Sequence, residues 1–410
     1  MARKIIPLIL IFICATGAWI ILGTTLMIRS DSSDQVLYEK VGRLWGQQQS
    51  QTAPALRGTW VPPEGEKPGY YLSTPIELEA SDINVHLNLE HRRKGLLWYA
   101  TYRVKFDGEY KITNPSDTTA EVNVDYQFPT SNGIYDDFVF LVDNDSTGRF
   151  DVDGYGMDAK LTLAPGESKT IRIAYGSQGL KDWWYRFGQG VSRTKRFNLV
   201  MTTNFDQIDF PEQGMSPTTK EKTATGWKLI WKYDSLISGA NIGMMMPSKL
   251  NPGPFVGRVT FFAPVSLFFF FFLIFIITMI KRINLHPMNY FFLATGFFAF
   301  HLLLAYLVDH IDVHVAMFIS SAVSVGLVLS YMRLVVGWRF AMFEVGIAQL
   351  VYLILFSYAF FLEGYTGLTI TICSILTLFV VMQATGRMNW EELFKAAEPV
   401  KRTPEPPQMN

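Results

Sequence analysis

The stretch Leu307–His314, LVDHIDVH, places two aspartates and two histidines between long apolar runs. Asp309, His310, Asp312 and His314 all carry groups able to ligate a metal or move a proton. The stretch is either a working site or a short polar turn between two membrane helices, and that choice decides the fold of the last third of the chain. The flanking runs, Pro287–Val308 and Val313–Met332, are each long enough to cross a hydrocarbon layer of roughly 30 Å. The polar residues then form the turn that joins them. Asp312 stands where a carboxylate caps the start of the second helix. His310 and His314 share a face only if the segment is helical, which a turn opposes. A metal site would also need a third ligand, His301 or Glu363.

Three more runs of spanning length follow the same logic: Phe261–Ile280, Phe340–Leu362 and Leu368–Thr385. Near the N-terminus, Ile5–Ile28 carries no charge and follows Arg3 and Lys4. The apolar core of a signal peptide is about 7–15 residues, so this longer run reads as an uncleaved anchor. Six spans result. Arg3, Lys4, Lys281, Arg282, Arg333, Arg339 and Arg387 then share one side, while the opposing short loops DHID and EGYTG contain no Lys or Arg. The excess of basic residues marks the cytoplasmic side. Both termini are therefore expected in the cytoplasm and the long segment outside. The expected divisions are an anchor over residues 1–29, an external domain over 30–258, a helical bundle over 259–386 and a tail over 387–410, Pro-rich and polar.

Lys+Arg and Asp+Glu both number 36, a formal net charge of zero, which argues against a nucleic-acid partner. The two cysteines, Cys14 and Cys373, lie in apolar runs and read as buried small residues rather than a disulfide. The external segment opens with a helical pattern, Val36, Leu37, Lys40, Val41, Leu44 and Trp45, with Asp31–Asp34 as possible N-caps. PALRGTWVPPEGEKPG reads as an irregular connection. The period then becomes two: Ile83, Val85, Leu87 and Leu89 alternate with polar residues, as do Val122, Val124, Tyr126 and Phe128. LTLAPGESKTIRIAY is strand, turn, strand. Further strands are expected at Leu97–Phe106, Phe138–Val142, Phe197–Thr203 and Trp227–Tyr233. The predicted class is membrane α+β: one anchor, five C-terminal spans and a large extracytoplasmic antiparallel β-sandwich region.

Hydrolase and nucleotide motifs such as G-x-S-x-G, H-E-x-x-H and Walker A are absent from the sequence. DNDSTG, Asp143–Gly148, opens like a calcium loop but carries Gly154 where the bidentate glutamate belongs. An acidic turn is the better reading. DWWYRF, Asp182–Phe187, has the aromatics of a sugar platform, though strand aromatics more often fill a core. Met244–Met246 reads as packing rather than an adaptable surface. Ala316, Ser320 and Ser324, and likewise Ala322, Gly326 and Ser330, recur every fourth residue and suit close helix packing. His301 and Glu344 are the ionisable candidates inside spans. Interhelical hydrogen bonding is the plainer role for His301, and Glu344 lies near enough to the boundary to reach Arg339 or headgroups.

LHPMNYFFLATGFFAFHLLLAYLVDHIDVHVAMFISSA resembles the CreD family of bacterial inner-membrane proteins. His286, Pro287 and Tyr290 match its HP-x-x-Y opening. Val308, Asp309 and His310 stand where the family has a Ser-Glu-His-type triplet. RMNW at Arg387–Trp390, EHRRKGLLWYATYRVKFDGEY and LWGQQQSQTAPAL are also similar to family segments, whereas residues 110–250 look divergent. The resemblance implies an inner-membrane protein with a periplasmic β domain, associated with cell-envelope integrity or stress response. It supplies no catalytic residue and no cofactor. The expectation is a non-enzymatic protein held in the lipid bilayer, its external domain engaging envelope lipid, cell-wall glycan or another membrane protein. The alternatives are a lipid or small-molecule transporter using the bundle, or a membrane-embedded metalloenzyme at His310 and His314.

Overall fold

The computed structural model describes residues 2–60, 73–145, 149–188, 192–362 and 364–386. The chain divides into two compact units, Met1–Ser33 with Asn251–Asn410, and Asp34–Leu250.

Among the described residues, six helices are long and apolar enough to cross a membrane. They are α1 (Ala2–Leu44), α2 (Pro252–Ile280), α3 (Pro287–Leu307), α4 (Val313–Val336), α5 (Trp338–Phe361) and α6 (Thr366–Thr385). Their starts follow local chemistry. Pro287 opens α3 behind His286, whose Nδ1 accepts from the Met288 N–H at 3.2 Å. Asp312 caps α4 by accepting from the N–H groups of His314 and Val315. Gly337, at φ 95°, ends α4 in a conformation that favours glycine.

Three sequence expectations are corrected here. The anchor and the amphipathic helix are one helix, α1, unbroken through Asp31–Asp34. Ser32 Oγ donates to the Ile28 carbonyl at 2.7 Å, and neither Pro nor Gly interrupts the passage, so no cap forms. Helix α2 begins at Pro252, well before Phe261, because Asn251 and Pro252 form a starting signal and Arg258 does not stop the helix. Cys14 is exposed and Cys373 half-buried. Both lie on helices with little protein around them, where an apolar side chain faces acyl chains.

Helix α1 packs on α2 and α3 through close approaches. A Cβ on Gly257 would lie 2.8 Å from Met27 Sδ, and one on Gly23 would lie 3.1 Å from the Phe261 ring. Trp19 is fully buried, edge-on to Phe298 and His301. On α4, Ala316, Ser320 and Ser324 are buried, while Ala322, Gly326 and Ser330 face outward. Only the first of the two small-residue series therefore serves close packing.

The unit Asp34–Leu250 holds the strands. The first five are β1 (Gln49–Thr52), β2 (Ala55–Trp60), β3 (Thr74–Pro75), β4 (Ala80–Lys94) and β5 (Leu97–Thr113). Next come β6 (Ala120–Gln127), β7 (Tyr135–Val142), β8 (Phe150–Val152), β9 (Gly156–Leu163) and β10 (Ser168–Leu180). The last are β11 (Asp182–Arg186), β12 (Ser192–Thr203), β13 (Thr219–Lys222), β14 (Trp227–Ser238) and β15 (Ile242–Met245). They form a seven-stranded sheet, β13-β14-β12-β4-β5-β10-β7, a five-stranded sheet, β3-β2-β6-β9-β8, and a three-stranded sheet, β1-β11-β15.

One continuous apolar core joins the three sheets. Ile83, Val85 and Leu87 from β4 meet Val122, Val124 and Tyr126 from β6 and Trp183 and Tyr185 from β11 in it. This is the sandwich that period-two alternation predicts. Most pairings are antiparallel, but β4–β12 and β1–β11 are parallel. The segment read as an irregular connection contributes β2, which pairs with β6 from Ala55↔Asp125 to Trp60↔Ala120. The rest of that segment, from Val61, lies outside the described residues. The final turns of α1 belong to this unit, with Val41 packed among Leu97, Tyr99 and Leu180.

Candidate functional site in the helical bundle

The four polar residues of LVDHIDVH take four separate positions. Asp309 forms an ion pair with Arg29 of α1. His310 is exposed in the turn. Asp312 spends its carboxylate on the cap of α4. His314 reaches α5, with Nδ1 3.2 Å from the Tyr358 hydroxyl and its ring stacked on Phe361 at 4.5 Å. Among the described residues, no three His, Cys, Asp or Glu side chains gather as metal ligands. Glu363 lies outside the described residues, as do Arg387–Trp390. The stretch thus ties four helices, α1, α3, α4 and α5, together around a turn.

The remaining motif residues also serve the bundle. Tyr290 is buried edge-on to Phe271, with ring centroids 5.3 Å apart. His301 is buried, and its Nδ1 donates to the Phe297 carbonyl at 3.0 Å, one turn back in α3. Glu344 pairs with Lys281, at the end of α2, rather than with Arg339. Lys281 directly follows α2, and its ammonium also lies 5.7 Å from the Phe340 ring. The ion pairs Arg29–Asp309 and Lys281–Glu344 each join two helices.

Between these pairs runs a thread of neutral polar groups that a search for charges overlooks. Gln349 is fully buried on α5. Its Nε2 donates to Ser324 Oγ at 2.9 Å, and Ser324 Oγ donates to the Gly296 carbonyl at 2.7 Å. The Tyr352 hydroxyl donates to Thr377 Oγ1 at 2.7 Å, and Ser266 Oγ donates to the Tyr352 carbonyl. The thread thus crosses α2 through α6. Gln349 Oε1 and Ser320 Oγ are buried with no hydrogen-bond partner among the described residues. In α5, Ala341–Gly346 and Leu350–Leu355 form π turns on either side of Gln349. Such turns recur at functional sites. Amide and hydroxyl groups can hold helices together or bind a polar group, and the Gln349 carbonyl is the unmet amide acceptor of this thread. The sequence signal for this thread is a lone glutamine inside the Phe340–Leu362 run.

The β-unit candidates are largely structural. Trp183 and Tyr185 lie in the core, whereas Trp184 is half-buried and donates from Nε1 to Asp182 Oδ2 at 3.2 Å. Met244 and Met246 also belong to the core. Asp143 Oδ1 accepts from the Thr170 N–H at 2.8 Å, while Ser146–Gly148 of that turn lie outside the described residues. Burial pushes the Asp182 carboxyl above the ordinary carboxylate range, although Trp184 and Lys181 partly oppose the shift.

No curated protein matches the chain. Among solved structures, one similarity is to a Legionella pneumophila protein described as nutrient binding, at 10% identity and a TM-score of 0.31, covering 52% of this chain and 77% of that one. Another is to an M1 zinc metallopeptidase from Deinococcus radiodurans, at 10% identity and a TM-score of 0.26, covering 42% of each chain. The family model described as inner membrane protein CreD matches residues 214–391. That span includes HP-x-x-Y and the Asp309–His310 pair, and it takes in residues 214–250 of the stretch expected to be divergent. The segments at Glu90–Tyr110 and Leu44–Leu56 lie outside it. The match extends from the end of the β unit through all of α2 to α6, and over that span the chain is similar to the family described as inner membrane protein CreD.

Proposed function

We propose that this protein is a non-enzymatic support of the cell envelope: the helices hold a β domain at the inner membrane, and the domain engages envelope material. Both termini lie in the cytoplasm and the domain in the periplasm. The observation that carries this reading is the domain itself. Residues 34–250 form a compact unit with one continuous core across three sheets. A helical anchor alone does not require so large a folded body. The ion pairs and polar thread of the bundle suit a holding role.

The test is complementation of a null strain by a chain in which a flexible linker replaces residues 46–249. Membrane insertion of the helices is checked in parallel. The expected result is inserted protein that fails to restore the envelope phenotype. Full rescue would overturn the proposal and move the function into the bundle, where Gln349 and its unmet carbonyl would be the first residue to examine.

A further inference from the structure

We propose that the tip of the β4–β5 hairpin is a docking surface for the anionic headgroups of phospholipids. The two strands pair along their length to Lys94↔Leu97, and Gly95 and Leu96 make the turn. Gly95 adopts φ 61°, which suits glycine in so tight a connection.

Both passages of the chain into and out of this unit run beside that tip. A Cβ on Gly95 would lie 3.3 Å from Leu37 Cδ1. The Tyr99 hydroxyl donates to Asp34 Oδ1 at 3.0 Å. On the other passage, His91 Nε2 donates to the Pro247 carbonyl at 2.8 Å, and Lys249 Nζ lies 4.3 Å from the centre of a Trp98 ring. Pro252, where apolar α2 begins, is three residues beyond Lys249. Three extended residues span at most about 10 Å. Covalent geometry therefore keeps Lys249, whose ammonium lies on Trp98 of β5, within about 10 Å of the residue at which α2 begins.

The chemistry of the tip suits a lipid surface. Arg92, Arg93, Lys94 and Lys249 are exposed, and so is Leu96 at the turn. Glu90 is the acid within the group, and it is shared between Arg92 at 3.3 Å and Arg103 at 3.2 Å. The Arg92 guanidinium also stacks 3.3 Å from the Trp45 ring centre. Arg93 donates from Nε to the Gly95 carbonyl at 3.1 Å, which holds that side chain at the turn. Basic groups alternating with tryptophan and an exposed leucine are the interfacial pattern: cations meet phosphates while the apolar parts enter the headgroup boundary. The inference deepens the reading of the domain as an envelope-binding module and names one of its ligands.

The test uses the full chain in nanodiscs of phosphatidylcholine alone, or with added phosphatidylglycerol. Amide hydrogen exchange is followed over residues 92–98. The expected result is exchange about tenfold slower with phosphatidylglycerol, an effect lost in high salt. It should also be lost in the triple variant Arg93→Gln, Lys94→Gln, Lys249→Gln. Exchange in β6 and β9 reports whether that variant still folds. Equal exchange in the two membranes, or slowing that survives both salt and the triple substitution, would overturn the proposal. This readout is independent of complementation by the linker chain, so failure here and failure of the envelope role are distinguishable.

Discussion

Asp182 is a carboxylate whose surroundings oppose its charge. It is buried, and the half-buried Trp184 indole, Lys181 and the Gln48 side chain only partly offset the loss of water. The backbone carbonyl of the same residue accepts from the Tyr102 hydroxyl at 2.7 Å, so the chain is held in place even though the acid is poorly met. Burial raises the folded-state pKa above the ordinary value of 3.8. The folded state then binds the proton more tightly than the unfolded state. Stability falls as pH rises from the unfolded pKa through the raised folded one, and the penalty is present above it. Asp182→Asn should therefore stabilise the protein at pH 7 by about 1 kcal/mol. Thermal unfolding of the full chain in detergent should show that gain shrinking as pH is lowered toward 4. A gain independent of pH would mean that charge is not the cause. The alternation in DWWYRF places Trp183 and Tyr185 inside, but nothing local announces that the Asp182 carboxylate is buried as well. Gln349 escapes notice for a related reason. Apolar runs are scanned for charges, and a neutral amide passes as helix filler.

The packing of α1 against α2 illustrates what elements reveal and conceal. Gly257 faces Met27 so closely that a Cβ would come within 2.8 Å of the sulfur. Without a hydrophobic force between helices in lipid, such close approach is a main source of attraction. Gly257→Val should cost about 1–3 kcal/mol in the association of α1 with the bundle. The measurement is unfolding of the purified chain in mixed micelles with increasing dodecyl sulfate, followed by a probe on α1. An unchanged α1 transition would show that this contact does not hold the helix. All six spans are legible from run length, because the hydrocarbon thickness imposes it. The alternating strands are legible because one face of each is buried, as in β4 and β6. The parallel pairing of β4 with β12 is not. It joins Ser81 to Phe197 and Leu87 to Thr203, across more than a hundred residues. A local period records which face is apolar, not which strand lies alongside. The continuity of α1 is also hidden, since Asp31–Asp34 look like caps until Ser32 is seen bonded back into the helix.

At the scale of the molecule, the charges flanking the helices imply an orientation. Lys281 and Arg282 follow α2, and Arg333 and Arg339 flank Gly337 between α4 and α5. The α3–α4 turn instead carries Asp309 and Asp312. Arg29 departs from this pattern, but its ion pair with Asp309 offsets the charge where it stands. Basic short loops stay in the cytoplasm, so the α2–α3 and α4–α5 connections should face inward. Asp34–Leu250 should then face the periplasm. Cys14 and Cys373 lie on α1 and α6, and replacing both with alanine gives a background for single-cysteine labelling. In intact cells, Lys94→Cys should react with a membrane-impermeant maleimide, whereas Arg282→Cys should react only after permeabilisation. The reverse pattern would place the β domain in the cytoplasm and end its proposed role in the envelope. It would also turn the basic hairpin tip toward the inner leaflet, so this one labelling pair decides which face of the membrane that tip can meet.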